Sequence, residues 1–377
     1  MSHVTSLRAT QAFALFLFVI NGLLFLLGCS NDSGSSQPAN TATVTSHSSS
    51  QNQNLPLADR LQNYIDGLDT DNRAGIAVAV VQNGEVIFQA AKGMANTLEN
   101  IPLTINTGFR TASISKTFTA IAVMQLVEAG QINLRASIHD YIPELPTSWS
   151  AITVSMLLTH SSGIIDLLND DGLYARIGGM TNSDLTTYFQ ENPTLEFTPG
   201  FRSEYSNTGY MMLALIIERA SNIAFGEYMQ RFVFEPAGMY DSYINDEKHP
   251  LEDGDALNHA SRTTFWGQTY YLVGSMGQVS SVNDFVQFFA ALENGQLLSD
   301  ESLTQLIAHR STVLGSTSYG YGVMRGNGSY GHGGSLDGFQ TDFRIRTDGS
   351  LSYVILTNSG GRTRGYLEQV LRILGES

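Results

Sequence analysis

Cysteine is all but absent from this chain of 377 residues, with Cys29 as its one representative. A lone thiol excludes any intrachain disulfide, so the compartment has to be read from other signals. Lysine is almost as scarce: Lys92, Lys116 and Lys248 stand against seventeen arginines. No run of Lys or Arg occurs and the formal net charge is −15, a balance that repels polyanions and argues against nucleic acid as a partner. The eight histidines are scattered, with no HExxH and no paired-ligand spacing, which disfavours a metal hydrolase and assigns no cofactor. No GxSxG elbow occurs, so the α/β-hydrolase reading fails although a His-Gly-Gly triplet is present. No apolar run is long enough to cross a bilayer, which needs roughly 20 residues. The longest, Ala12 to Leu27, has 16 and is broken by Asn21-Gly22.

What is there begins with that run. It follows a single basic residue, Arg8, and fits the hydrophobic core of an export signal over residues 1–28. Its end, Leu26-Leu27-Gly28-Cys29, resembles the lipobox of bacterial lipoproteins, in which cleavage before the cysteine is coupled to its acylation. The resemblance implies export and membrane attachment through lipid on Cys29, with Ser30 leaning towards the outer membrane of the cell envelope. Residues 29–54 then hold eight serines and, larger than alanine, only Val44 among aliphatic side chains. Such a segment buries too little to repay ordering and is expected to be a disordered tether reaching roughly 25 to 30 Å.

From residue 55 the composition turns globular, with 42% hydrophobic and 15% charged residues over the whole chain. Leu57, Leu61, Tyr64, Ile65 and Leu68 recur at helical spacing and predict a helix through Asp69. Gly75 to Val81 and Glu85 to Ala91 read as strands joined by Asn83-Gly84, a strong hairpin signal. A helix is predicted from Thr117 to Glu128. The middle, roughly 137 to 295, reads mainly as helices, clearest at 210–220, 224–232 and 283–294. Strands return at 319–324, 338–346 and 351–357, and an amphipathic helix closes the chain over 362–374. The pattern predicts an α/β fold of α+β type: an antiparallel sheet from both chain ends, flanked by helices, with an inserted helical subdomain, spanning 55–377.

Within this frame Ser113-Ile114-Ser115-Lys116 places a hydroxyl and an amine three residues apart, on one face of a helix start. A serine hydroxyl becomes a good nucleophile when a base takes its proton, and a lysine serves as that base once burial lowers its pKa. The apolar run Thr117 to Leu126 supplies such a setting. Taken alone, the pair equally fits a helix cap beside a solvated lysine. Its company decides: Tyr205-Ser206-Asn207 follows the Pro199-Gly200 turn, and His332-Gly333-Gly334 lies between Gly331 and Gly338.

SxxK, YxN and a (K/H)(T/S/G)G triplet in this order resemble the serine β-lactamase and penicillin-recognising superfamily. The similar branch holds class C β-lactamases, DD-peptidases, D-aminopeptidases and β-lactamase-like esterases. The phrases around Ser113, from Leu157 to Ile164 and from Tyr330 to Phe339 share the resemblance. It implies Ser113 as nucleophile, Lys116 as its proton acceptor or tuner, and Tyr205 as relay to the leaving group, as phenolate or through a hydrogen-bond chain. Asn207 would orient Lys116 and the substrate, and the backbone N–H groups of Ser113 and Ser335 would form an oxyanion hole. His332, Gly333 and Gly334 would line the substrate, the glycines letting a strand edge approach closely.

His160, in the phrase LLTHSSGI, is expected to fix a loop by hydrogen bonds. Arg344 and Arg346 share a strand face, where they could meet a substrate carboxylate or simply face solvent. Two departures matter: Gly333 replaces the Thr or Ser that helps relatives grip a carboxylate, and Asp337 replaces a common proline. The expected enzyme is therefore a serine hydrolase acting on a small-molecule, peptide or ester substrate. The alternative is a silent protein that binds cell-wall or lactam ligands in the same cleft.

Overall fold

The computed structural model describes residues 55–70, 73–168, 179–257, 271–336, 338–358 and 363–376. The expected export signal and tether, Cys29 and Asp337 lie outside the described residues, as do residues 169–178 and 258–270.

Helix α1 (Leu57–Asp66) leads into the hairpin β1 (Ile76–Gln82) and β2 (Glu85–Lys92). Asn83 and Gly84 have φ of +52° and +79°, the left-handed pair that a tight hairpin turn needs and that Asn-Gly supplies cheaply. A short pair, β3 (Met94–Asn96) and β4 (Ile101–Pro102), precedes β5 (Phe109–Arg110) and α2 (Ser115–Glu128). The inserted region carries α3 (Val154–Leu158), α4 (Asp184–Glu191), α5 (Asn207–Ser221) and α6 (Phe225–Met229). After β6 (Tyr243–Ile244) and β7 (Gln278–Ser280) come α7 (Val282–Glu293) and α8 (Asp300–Ile307). The end of the chain returns to sheet: β8 (Ser311–Val313), β9 (Thr317–Tyr319), β10 (Met324–Gly326), β11 (Ser329–Leu336), β12 (Phe339–Arg346) and β13 (Leu351–Thr357), then α9 (Thr363–Leu374).

The main sheet has eight antiparallel strands in the order β2-β1-β13-β12-β11-β10-β9-β8, so the first hairpin pairs with the last strand and the two chain ends share one sheet. Its central strands are apolar on both faces because both are covered. Ala77, Ala79, Phe343, Val354 and Leu356 face the helical region, while Ile76, Val78, Tyr353 and Ile355 face α1 and α9. Phe118 of α2 packs on Phe234, Phe285 and Phe288, with ring centroids 4.5 to 6.0 Å apart. Removing such a buried ring costs about 3 to 5 kcal/mol, so this cluster holds α2 firmly beneath the sheet.

Two local readings need correction. Residues 319–324 are not one strand: Tyr319 ends β9, Met324 begins β10, and the chain turns through Gly322 at φ +71°. A left-handed residue interrupts a strand whatever its apolar neighbours suggest. A small sheet, β5-β7-β6, also joins the stretch before α2 to the helical middle, and its strands of two or three residues are too short to show a period.

Candidate active site

Ser113 sits in the 3-10 turn Ala112–Ile114 that runs into α2, and Ala112 just before it is held at φ +52°. A non-glycine residue there is strained, and the strain persists only where the surroundings dictate it. They do so here. Ser115 Oγ donates to Ala112 O at 2.8 Å and accepts from Gln278 N at 3.2 Å. Thr341 Oγ1 of β12 donates to Thr111 O at 2.9 Å. Gly334 of β11 lies against the same turn, where a Cβ would overlap Thr111 O and Thr341 Oγ1. Glycine at 334 thus lets the strand meet the turn directly.

Lys116, one helical turn on, is wholly buried. Its Nζ donates to Asn207 Oδ1 at 2.8 Å and to Ser275 O at 3.0 Å, and lies 3.1 Å from Ser113 Oγ. Burial pushes the amine down to about 7, partly opposed by the negative charge of Asp166. Near neutrality it therefore exists in both forms, donating to Ser113 when protonated and accepting from it when neutral. Ser113 itself is only half-buried, so a solute can reach it.

Asn207 opens α5, and its Nδ2 donates to Asp166 Oδ2 at 3.0 Å. That bond fixes the amide with its oxygen towards Lys116. Burial pushes the Asp166 carboxyl up, opposed by N–H donors from Leu168 and Asn207. Asp166 is a residue of this site that the motifs do not name. A carboxylate inside the apolar stretch Ile164 to Leu168 was the signal available, since a buried charge needs a partner.

The Tyr205 hydroxyl is close enough to the Ser113 side chain to interact with it, and its ring lies 4.8 Å beneath Lys116 Nζ. Burial pushes the phenol well above its ordinary value, so Tyr205 is a neutral hydrogen-bonding phenol rather than a phenolate at neutral pH. His160 holds it there. This residue adopts φ +58°, its Nδ1 accepts from Ser206 N at 3.1 Å, and its ring stacks 4.5 Å from Tyr205. Its loop-fixing role is thus exerted on the residues flanking Tyr205. Burial holds the imidazole neutral, reinforced by the Lys116 charge.

His332 is fully buried behind β11 and does not offer a charge to the open side of the strand. Its Nδ1 donates to Gly333 O at 2.6 Å, so Nε2 accepts from the Tyr319 hydroxyl at 3.0 Å. Burial and then the Lys116 charge push its pKa down to about 3. The strand past Gly331 has no further pairing to β10, which leaves one edge of residues 332–336 without a strand partner among the described residues. Ser335 is exposed on that stretch, and its Oγ accepts from Gln340 Nε2 at 3.2 Å.

The structure therefore brings Ser113, Lys116 and Asn207 into one hydrogen-bonded group, with Tyr205 against it, beside Gly334, and with His332 one layer behind. A surface cavity lined by Tyr240, Tyr243, Asp246, Lys248 and Asp255 contains none of them. Among the described residues no group of three or more His, Cys, Asp or Glu side chains is placed to hold a metal ion.

The beta-lactamase family model matches residues 61–375. Penicillin-binding protein 4 of Amycolatopsis lactamdurans is 25% identical over 351 residues, covering 84% of this chain and 89% of that protein. Esterase EstB of Burkholderia gladioli is 32% identical over 218 residues, covering 52% of this chain and 55% of that one. The crystal structure of a penicillin binding protein from Bacillus halodurans superposes with a TM-score of 0.68 at 26% identity, covering 78% of this chain and 95% of that chain. With the family model spanning nearly the whole globular part and the fold shared with such a protein, the chain belongs to the beta-lactamase family.

Proposed function

We propose that this protein is a serine hydrolase that cleaves uncharged ester or amide substrates through an acyl-enzyme on Ser113. The observation that carries the reading is Lys116: a wholly buried amine, shifted to about 7, 3.1 Å from a solvent-reachable hydroxyl. Neutral Lys116 takes the Ser113 proton as Oγ bonds to the substrate carbonyl carbon. The carbonyl oxygen becomes an oxyanion, received by the backbone N–H groups of Ser113 and Ser335; each such donor is worth about 3 to 4 kcal/mol in other hydrolases. As the intermediate collapses, the bond to the leaving alcohol or amine breaks, and that group takes a proton through Tyr205 from protonated Lys116. Water then attacks the acyl carbon by the same relay in reverse, releasing the acid and restoring the Ser113 hydroxyl.

The substrate class follows from Gly333, which has no hydroxyl to hold a carboxylate. A missing hydrogen bond to a charged group weakens binding by about 10-fold to 150-fold. A threonine cannot simply be restored, because a Cβ at 333 would stand 3.2 Å from Asp342 Oδ2. Similarity to an esterase supports ester substrates. The test is intact-mass spectrometry after exposure to a fluorophosphonate, a penicillin and p-nitrophenyl acetate, with kcat/KM for nitrocefin and the ester. A mass increase on Ser113 from the fluorophosphonate and faster turnover of the ester are expected. Strong preference for nitrocefin would overturn the substrate assignment, and an unlabelled Ser113 the mechanism.

Location belongs to the same reading. The lipobox-like end of the apolar run supports a hydrolase exported and held in the cell envelope by lipid on Cys29. Cys29→Ala should release it from the membrane fraction, and unchanged partitioning would contradict lipid attachment.

A further inference from the structure

We propose that Asn182 is a positioning residue for Lys116: its side chain ties α5 to the segment Val273–Ser275 and so sets the spacing of Asn207 Oδ1 and Ser275 O, two acceptors that hold the amine. The inference deepens the hydrolase reading and rests on it. Asn182 lies just before α4, outside every motif of the site, and is buried. Its Oδ1 accepts from Val273 N at 2.9 Å and its Nδ2 donates to Val273 O at 3.0 Å, so one side chain pairs both backbone groups of a single residue. Nδ2 also donates to Met211 O at 2.8 Å. A buried amide bonded in this way fixes what it touches, because breaking any of the bonds leaves an unpaired polar group.

Those bonds join the two carriers of the Lys116 acceptors. Met211 follows Asn207 by one turn on the same face of α5, and Val273 shortly precedes Ser275. Between Val273 and Ser275, Gly274 adopts φ +97° and lies directly on α5, where a Cβ would overlap Tyr210 O and Ala214 Cβ. Gly274 O accepts from Thr119 Oγ1 at 2.8 Å, which ties the same segment to α2, the helix of Lys116 itself. Lys116 Nζ donates to Ser275 O at 3.0 Å and to Asn207 Oδ1 at 2.8 Å, and each acceptor favours the ammonium form. Letting Ser275 O drift away therefore removes support for the charge of a wholly buried amine. The titratable groups around the amine are Asp166, His160, His332, Tyr205 and Tyr210. The three Asn182 side-chain bonds go instead to backbone atoms of Met211 and Val273.

The test is the pH dependence of Ser113 acylation by p-nitrophenyl acetate in wild type, Asn182→Ala and Thr119→Val, with Tm measured alongside. Asn182→Ala removes all three bonds, and the midpoint of the profile should fall below 7 by about one pH unit, the scale of one lost hydrogen bond to a charge. Thr119→Val keeps the shape of its side chain, frees Gly274 O and should move the midpoint in the same direction, so the proposal stays testable if Asn182→Ala does not fold. A lowered Tm with the midpoint unmoved in Asn182→Ala would make Asn182 a purely structural residue and overturn the proposal, and so would a raised midpoint. If only Thr119→Val folds, an unmoved or raised midpoint in that variant has the same force. Fluorophosphonate labelling separates the two layers: no adduct on wild-type Ser113 sinks the hydrolase reading, whereas a labelled wild type whose midpoint the variants share sinks only the role of Asn182.

Discussion

Among the described residues, two buried groups are shifted to about 7, and only one of them sits in the candidate site. Lys116 is pushed down to about 7 and Asp284 is pushed up to about 7, each mainly by burial. Asp284 lies in the first turn of α7, where it accepts from Ser242 Oγ at 2.6 Å and its N–H donates to the N-cap Ser281 at 3.0 Å. Ser280 Oγ lies 2.7 Å from the same Ser242 hydroxyl, and both serines are buried. Around Lys116 the partners are graded from buried to open, ending at Ser113, which solvent reaches. Around Asp284 every hydroxyl is shut in. A perturbed pKa marks stored electrostatic free energy, and it becomes chemistry only where a reactive atom and a path to solvent share the same network.

The comparison can be broken at several points, and the largest effect belongs to Lys116→Arg. A guanidinium stays protonated and cannot take the proton, so this variant should be nearly as inactive as Lys116→Ala, with acylation of Ser113 reduced by about 10²-fold to 10⁴-fold. Near-wild-type acylation would show that the site uses positive charge alone. Tyr205→Phe comes next, keeping the ring against His160 while deleting the hydroxyl beside Ser113. Turnover should fall by about 10²-fold or more at unchanged secondary structure. A fall confined to KM would make Tyr205 a binding group.

His160→Ala should cost less. It removes the acceptor for Ser206 N and the stacking face for Tyr205, touching no reacting atom, so kcat should drop on the order of 10-fold while the pH midpoint of acylation stays put. A moved midpoint would place His160 in the proton path. The smallest effect on activity is expected from Asp284→Asn, whose consequence is stability. With a folded pKa raised above the unfolded value, Asp284 binds a proton more readily in the folded state, so its contribution declines as pH rises from about 4 to about 7. Asp284→Asn should therefore gain relative to wild type as pH rises across this window, by on the order of 2 °C in Tm above it, with turnover nearly unchanged. A Tm difference independent of pH would show that Asp284 is not titrating.

The same contrast governs what could be read before the structure was known. The hairpin at Asn83-Gly84 and the last strand, Leu351–Thr357, were legible because each is a local signal: a turn chemistry and a continuous apolar run. Ser113, Lys116, Tyr205 and Asn207 were legible because their residue types recur in a shared motif order, and the structure brings all four together. Asp166 was not, because its role is defined by Asn207, 41 residues away, and nothing in its neighbours announces that partner. His332 could be named but not oriented: flanking glycines suggested open surroundings, while the side chain in fact turns inward to Tyr319.

The claim at the centre of this account is that Lys116 in its neutral form accepts the proton of Ser113. Its most direct test is the pH dependence of the Ser113 acylation rate, measured by rapid-mixing burst kinetics with p-nitrophenyl acetate from pH 5.5 to pH 9.5. Because the amine must be unprotonated to act, the rate should climb about tenfold per pH unit below neutrality and level off above a midpoint of about 7. A rate that is flat across this range, or that falls as the pH rises through 7, would contradict it.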